Sequence, residues 1–205
     1  MSTAELPLFP LGAVLFPGGL LPLKVFEARY LDLIGACLRE RRPFGVVTLQ
    51  SGSEVLARKG SVRFEPIGTV AELLDVDSER QGILLVRCRG AQRFQIRSSR
   101  QQDDGLWVAL SEPLPDDESV APDASMAATL RGLASAIAAM KANNVVPFLE
   151  PYRYDDAGWV ANRWCEILPI SVSARHKLMA LPDPLRRLRL VDDYLRSKGV
   201  VTPPG

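Results

Sequence analysis

Histidine is almost missing from this chain: among 205 residues there is one, His176. Any Ser-His-Asp or Cys-His scheme of nucleophilic catalysis would have to run through it. It stands in Ala174-Arg175-His176-Lys177, a charged stretch that reads as the exposed end of a short helix. Cysteine is scarce too. Cys37, Cys88 and Cys165 are scattered and odd in number, which argues against a disulfide framework. Cys37 and Cys88 fall on apolar faces, where a reduced thiol behaves as a small hydrophobe. Cys165 lies eleven positions before His176, too far for a compact ligand pair, and no Cys/His cluster of a zinc site exists. The acidic groups Asp103-Asp104, Asp116-Asp117-Glu118 and Asp155-Asp156 lack calcium-loop spacing and read as loops and caps. Neither a G-x-x-x-x-G-K-[ST] phosphate loop nor a G-x-S-x-G elbow is present. No apolar run approaches the ~20 residues that span a bilayer, and no signal-peptide pattern opens the chain. The expectation is a cytoplasmic protein with no catalytic residues, no metal site, no cofactor and no membrane segment.

Charge of one sign is lacking as well. Lys and Arg number 25 against 24 Asp and Glu, and the balance holds in both halves, 14 to 13 over residues 1–112 and 11 to 11 over 113–205. Nucleic-acid binders usually carry a strongly basic domain or stripe. The nearest approach here is Arg87, Arg89, Arg93, Arg97 and Arg100. On extended chain Arg87 and Arg89 lie opposite Leu84, Val86 and Cys88, and Arg93 and Arg97 opposite Phe94 and Ile96, which reads as a solvated sheet face.

What is present begins with proline and period-2 apolar patterning. Leu6–Leu11 and Leu20–Val25 read as extended pieces separated by the turn Pro17-Gly18-Gly19. Pro7, Pro10, Pro17 and Pro22 lack a backbone donor and suit sheet edges, strand starts or bulges. The period then changes. Phe26, Tyr30, Leu33, Ile34, Cys37 and Leu38 recur at helical spacing, giving one amphipathic helix over Glu27–Arg39. Further strands follow at Phe44–Leu49, Phe64–Asp77, Ile83–Arg89, Gln92–Arg97 and Leu106–Ser111, with turns at Ser51-Gly52-Ser53 and Glu79–Gly82 and a bend at Gly90. Short strands at this spacing suggest a small closed or nearly closed barrel.

Composition shifts at 113–125, PLPDDESVAPDAS, which reads as a linker between a β-rich subdomain (1–112) and a helical one (126–198), with a frayed tail at 199–205. The Ala-rich run from Met126 is helical and ends at Asn143-Asn144. Asp155 or Asp156 caps a helix through Trp159 and Trp164; Ser171 or Ser173 caps the next; Asp183-Pro184 starts the last, with Leu188, Val191 and Leu195 as its stripe. Between them Val145–Trp159, VVPFLEPYRYDDAGW, gathers aromatics on irregular backbone. Phe148, Tyr152, Tyr154 and Trp159 are therefore the candidate binding residues, set against the plainer reading that they pack the loop onto the helices. Phe9, Phe16 and Leu20 have a similar double reading: core, or a groove beside an exposed strand edge.

The opening LPLFPL…VLFPG…LPL…FE.RY resembles the amino-terminal domain of Lon proteases, in particular its free-standing bacterial versions. The likeness continues at Phe44–Leu56, Ile67–Asp75, Leu84–Ile96, Trp159–Ile170 and Leu178–Leu190, so it covers most of the chain. The resemblance implies an α+β fold: a PUA-like β pseudobarrel with one early helix, followed by a C-terminal helical bundle. It also implies substrate selection without chemistry, since neither the ATPase nor the peptidase of Lon has a counterpart here. The expected partner is unfolded polypeptide or a protein partner, with a protease system as one candidate setting. The alternatives are a PUA-like RNA-binding module, which the neutral charge disfavours, and an unrecognised enzyme, for which no constellation is present.

Overall fold

A computed structural model describes residues 4–51 and 62–201, and its contacts divide into two compact units, Met1–Asp116 and Asp117–Gly205. The Gly52–Ser53 part of the expected turn, residues 52–56 of the family-like segment and residues 202–205 of the tail lie outside the described residues.

In the first unit the period-2 stretches become strands: β1 (Ala4–Leu11), β2 (Leu20–Val25), β3 (Phe44–Ser51), β4 (Arg63–Phe64), β5 (Ile67–Arg80), β6 (Ile83–Gln101) and β7 (Trp107–Pro113), with the helix α1 (Ala28–Glu40) after β2. Among the described residues the order is β1-β7-β6-β5-β3-β4, and β1 also pairs with β3, which closes the sheet on itself. The prolines explain how β1 serves two neighbours. Its first half, Ala4–Leu8, pairs antiparallel with β7; its second half, Leu8–Leu11, pairs parallel with β3. Pro7 and Pro10 each sit where only one side is paired, so neither missing donor need break a ladder. Register shifts along β5 and β6 bend these long strands far enough for closure.

Both faces of this sheet are covered. Alternation sends Phe9, Phe44, Val46, Ala71, Val86 and Cys88 to one side, where Tyr30, Leu33, Ile34 and Cys37 of α1 pack on them. Leu8, Val47, Phe94 and Ala109 form a second cluster. Phe94 fits because Gly45 and Gly68 lie beside it: a Cβ at either would stand 2.7 or 2.6 Å from its ring. Arg93 departs from the solvated-face expectation. It is buried, and its guanidinium donates to the Pro115 carbonyl at 3.2 Å. The cause is a bulge in β6 opposite Thr69–Ala71, where three steps on β6 face two on β5 and the strand is covered on both sides.

The second unit contains α2 (Ala127–Ala142), α3 (Ala157–Ile167), α4 (Val172–Ala180) and α5 (Pro184–Ser197). Each of the last three begins on a side-chain cap: Asp156 accepts from Trp159 N–H, Ser171 from Ala174 N–H and Asp183 from Arg186 N–H. Helix α3 is buried from Ala157 to Cys165, polar residues included. Arg187 on α5 is 1% exposed and binds Asp117 (2.5 Å), Asn162 (3.0 Å) and the carbonyls of Leu178 and Leu181. Asp192 joins Thr129 to Arg196. His176 is not exposed as its charged neighbours suggested: it is 6% exposed, because His176 and Met179, one turn apart, form the inner side of α4. Val201 is likewise buried, close to Gly132 of α2, so the expected frayed tail is packed at this residue.

Candidate functional site

The chemistry-bearing side chains are withdrawn from solvent. All three thiols are buried. Burial is the main cause that raises each of them, to about 12 for Cys88 and Cys165, so the thiolate needed by a nucleophile or metal ligand is suppressed. Among the described residues no three His, Cys, Asp or Glu side chains converge as a metal cluster would require. Three arginines of the expected face are matched by acids: Arg89 pairs with Glu72 at 2.5 Å, Arg97 with Glu112 at 2.6 Å and Arg100 with Glu5 at 3.1 Å. Phosphate recognition needs cations that are not already matched.

The aromatic loop of the second unit forms one cluster of edge-on and tilted rings. Trp159, presented by the first turn of α3, lies 6.4 Å from Phe148, 5.8 Å from Tyr152 and 5.4 Å from Tyr154, ring centre to ring centre. The guanidinium of Arg163, one turn on, sits 5.4 Å from the Phe148 ring and pairs with Glu166 at 2.9 Å. Phe148 is 1% and Trp159 9% exposed, so these two candidates are interior and hold the loop against α3. Tyr152 and Tyr154 are half-buried at the surface. Lys141 lies 4.6 Å over the Tyr152 ring and 3.1 Å from Glu150, and the Tyr152 phenol and the Glu150 carboxylate raise its pKa. Val145 and Val146, just before the loop, are exposed.

A different arrangement occupies the first unit. Among the described residues β2 has one strand partner, β6, in the register Leu20↔Arg89 to Val25↔Leu84. Gly18, at φ 71°, turns the chain into β2, with Gly19 N–H donating to Phe16 O at 2.9 Å. Gly90 N–H then donates to the Gly19 carbonyl at 2.9 Å, which aims Gly19 toward β6. Backbone groups alternate along a strand, so Leu21, Leu23 and Val25 also face β6 while Leu20, Pro22 and Lys24 face away. Pro22 fits that assignment, because its position needs no donor for the β6 ladder. The outer edge thus presents the N–H groups of Leu20 and Lys24 and the carbonyls of Leu20, Pro22 and Lys24. No backbone hydrogen bond ties any of them to another described residue outside the regular ladders.

Along this edge runs a cavity of about 280 Å³. Consecutive residues from Leu21 to Glu27 line it, of both parities, so it follows the strand's edge and not one face. Its apolar wall is Phe9, Leu11, Phe26 and Tyr30, with the Phe9 and Tyr30 rings stacked at 4.0 Å. Phe26 is 51% exposed, unusual for so large an apolar side chain. The charges at the rim are matched, Lys24 by Glu79 and Glu27 by Arg29, both at 2.6 Å. Of the groove residues named from sequence, Phe9 lines this cavity, Phe16 is fully buried and Leu20 lies on the open edge. Phe26 and Lys24 were missed. Helical spacing places Phe26 at the head of the apolar stripe, but the exposed Phe26 precedes α1, whose buried face starts at Tyr30.

Comparison with known proteins adds the family. The pattern of the ATP-dependent protease La (LON) substrate-binding domain matches residues 5–197. The crystal structure of the Lon N-terminal domain protein from Xanthomonas campestris superposes with a TM-score of 0.75 at 31% identity, covering 93% of this chain and 98% of that one. The N-terminal domain of the Mycobacterium avium complex Lon protease shares the fold, with a TM-score of 0.66 at 18% identity over 93% of this chain and 97% of that one. Among curated proteins, cereblon of Danio rerio is 31% identical over 129 residues, 60% of this chain and 28% of cereblon. The Lon protease of Anaeromyxobacter dehalogenans is 29% identical over 126 residues, 61% of this chain and 14% of that protein. The chain therefore spans well under a third of the length of these curated relatives.

Proposed function

This chain belongs to the family of Lon substrate-binding domains, and we propose that it acts as a non-catalytic module that binds extended, apolar-rich polypeptide by adding it as a strand to the outer edge of β2. The observation that carries the reading is the row of backbone groups at Leu20, Pro22 and Lys24 that have no strand partner among the described residues, running beside a cavity with an apolar wall. Backbone pairing makes such capture tolerant of sequence, and the cavity adds a preference for Phe, Leu or Tyr at alternate positions. Tyr152 and Tyr154 are proposed as further contacts for polypeptide, with Phe148 and Trp159 holding them in place. Protein substrates are the partner class that family membership supports, and no part of the reading calls for a cofactor.

Affinity is expected in the micromolar range, about −8 kcal/mol, because ordering a flexible peptide offsets much of the contact energy. The test is a titration of a labelled, permanently unfolded model protein at about 50 and 200 mM salt. The matched rim charges predict a change below roughly threefold between the two salts. A loss of a hundredfold or more would instead indicate release of counterions from a nucleic-acid-type contact and overturn the reading. Phe26→Ser should weaken capture about tenfold while leaving the fold intact, since half of that side chain is already in water. No binding at either salt would reject polypeptide capture.

A further inference from the structure

We infer that Pro22 is a specificity-determining residue, making the β2 edge accept a foreign strand and refuse a second copy of this chain. The inference rests on the strand-addition reading above and extends it to what the edge excludes. An open, regular strand edge is a template for any extended chain, the same edge of a second copy included. β2 is flanked by exposed Phe26, so pairing with the same edge of a second copy is the competing reaction.

The backbone geometry decides between the two partners. In a twofold antiparallel β2–β2 pair centred on the strand, the outward residues face one another as Leu20 with Lys24, Pro22 with Pro22, and Lys24 with Leu20. Each outward pair in an antiparallel ladder exchanges two N–H···O bonds. At the central pair both donors are absent, so two bonds fail and each proline carbonyl faces the partner's ring nitrogen, which carries no hydrogen. Four of six bonds remain, and the break falls in the middle of the ladder. A foreign extended segment brings its own N–H to the Pro22 carbonyl, so it forms five of six and leaves one acceptor unmatched instead of two. Burial points the same way. The Pro22 ring is exposed and contributes no large apolar contact to the core behind it, so its position on the edge is not explained by packing. Leu21, Leu23 and Val25, its neighbours of opposite parity, carry that packing.

The experiment compares Pro22→Thr with the unaltered chain. Threonine restores the donor, has good strand propensity and stays polar at an exposed site. Sedimentation velocity over about 10–300 μM should show no association through this edge for the unaltered chain, and concentration-dependent dimerisation for Pro22→Thr. The double variant Pro22→Thr/Lys24→Pro, which removes an outer-edge donor again, should return to the sedimentation of the unaltered chain. An excess of an unfolded apolar peptide should dissociate the Pro22→Thr dimer. Equal sedimentation of Pro22→Thr and the unaltered chain overturns the inference, as does association of the unaltered chain that Lys24→Pro abolishes. Failure of both Pro22→Thr and Pro22→Ala to fold, read by circular dichroism, also overturns it, because Pro22 would then serve the fold. Peptide titration of the unaltered chain, run alongside, reads polypeptide capture independently: its failure removes that function while the sedimentation arms still decide the role of Pro22.

Discussion

The two units use their polar groups in opposite ways. In the helical unit buried polar side chains are turned inward onto one another: Arg187 on Asp117 and Asn162, Asp192 on Thr129 and Arg196, Arg163 on Glu166. In the β unit apolar clusters hold both faces, and a row of backbone groups on β2 is left open beside a cavity. The contrast teaches where to look for binding when the thiols and many charged side chains of the described residues are buried or paired. Charged side chains are conspicuous in a sequence, but here many of them are structural or neutralised. The groups that the proposed strand addition uses are main-chain atoms, which no residue letter reveals.

The contrast breaks most visibly at Arg187. Arg187→Ala leaves Asp117 and Asn162 facing an empty, buried site, and the expected loss is about 3–5 kcal/mol, read by chemical denaturation with Trp159 and Trp164 as reporters. A loss below about 1 kcal/mol would show that the network is incidental. Gly68→Ala strikes the β unit. The added methyl meets the Phe94 ring and the Val46 carbonyl, both at 2.6 Å, and should cost about 1–3 kcal/mol. Thermal unfolding of that variant measures it, and an unchanged midpoint would contradict the tight seating of Phe94.

A smaller effect follows from Glu166. Burial pushes its carboxyl up from 4.5 to about 7, against the lowering influence of Arg163 and Arg175. The folded chain therefore holds a proton that the unfolded chain releases. The stabilising contribution is complete below about pH 4.5 and is lost as pH rises through about 7. With 17% of the side chain in contact with solvent, the swing is on the order of 1–2 kcal/mol. Glu166→Gln should flatten that part of the stability–pH curve, as measured by denaturation at pH 5 and pH 8. An identical slope in both proteins would assign the dependence to other groups.

Much of the architecture was legible because it rests on period and punctuation. Alternation gave the strands, the spacing of Tyr30, Leu33, Ile34 and Cys37 gave α1, and Asp183-Pro184 gave the start of α5. His176 and Arg93 were misread because local sequence reports the neighbours along the chain, while burial is set by what packs from elsewhere. A bulge placed Arg93 inside, and a one-turn partnership with Met179 placed His176 inside. The aromatic run 148–159 was visible, but not its division into interior Phe148 and Trp159 and surface Tyr152 and Tyr154. The β2 edge was legible only as a proline-marked strand. Which side of it stays unpaired depends on strand order, and that is a property of the closed sheet.

Amide hydrogen exchange along β2, with and without an unfolded apolar peptide, tests the central claim most directly. In the free protein the Leu21, Leu23 and Val25 amides, bonded to β6, should exchange slowly, while those of Leu20 and Lys24 exchange fast. Saturating peptide should slow Leu20 and Lys24 by about tenfold or more and leave the inner three nearly unchanged. Peptide that binds while Leu20 and Lys24 go on exchanging at their free rates would contradict strand addition at β2.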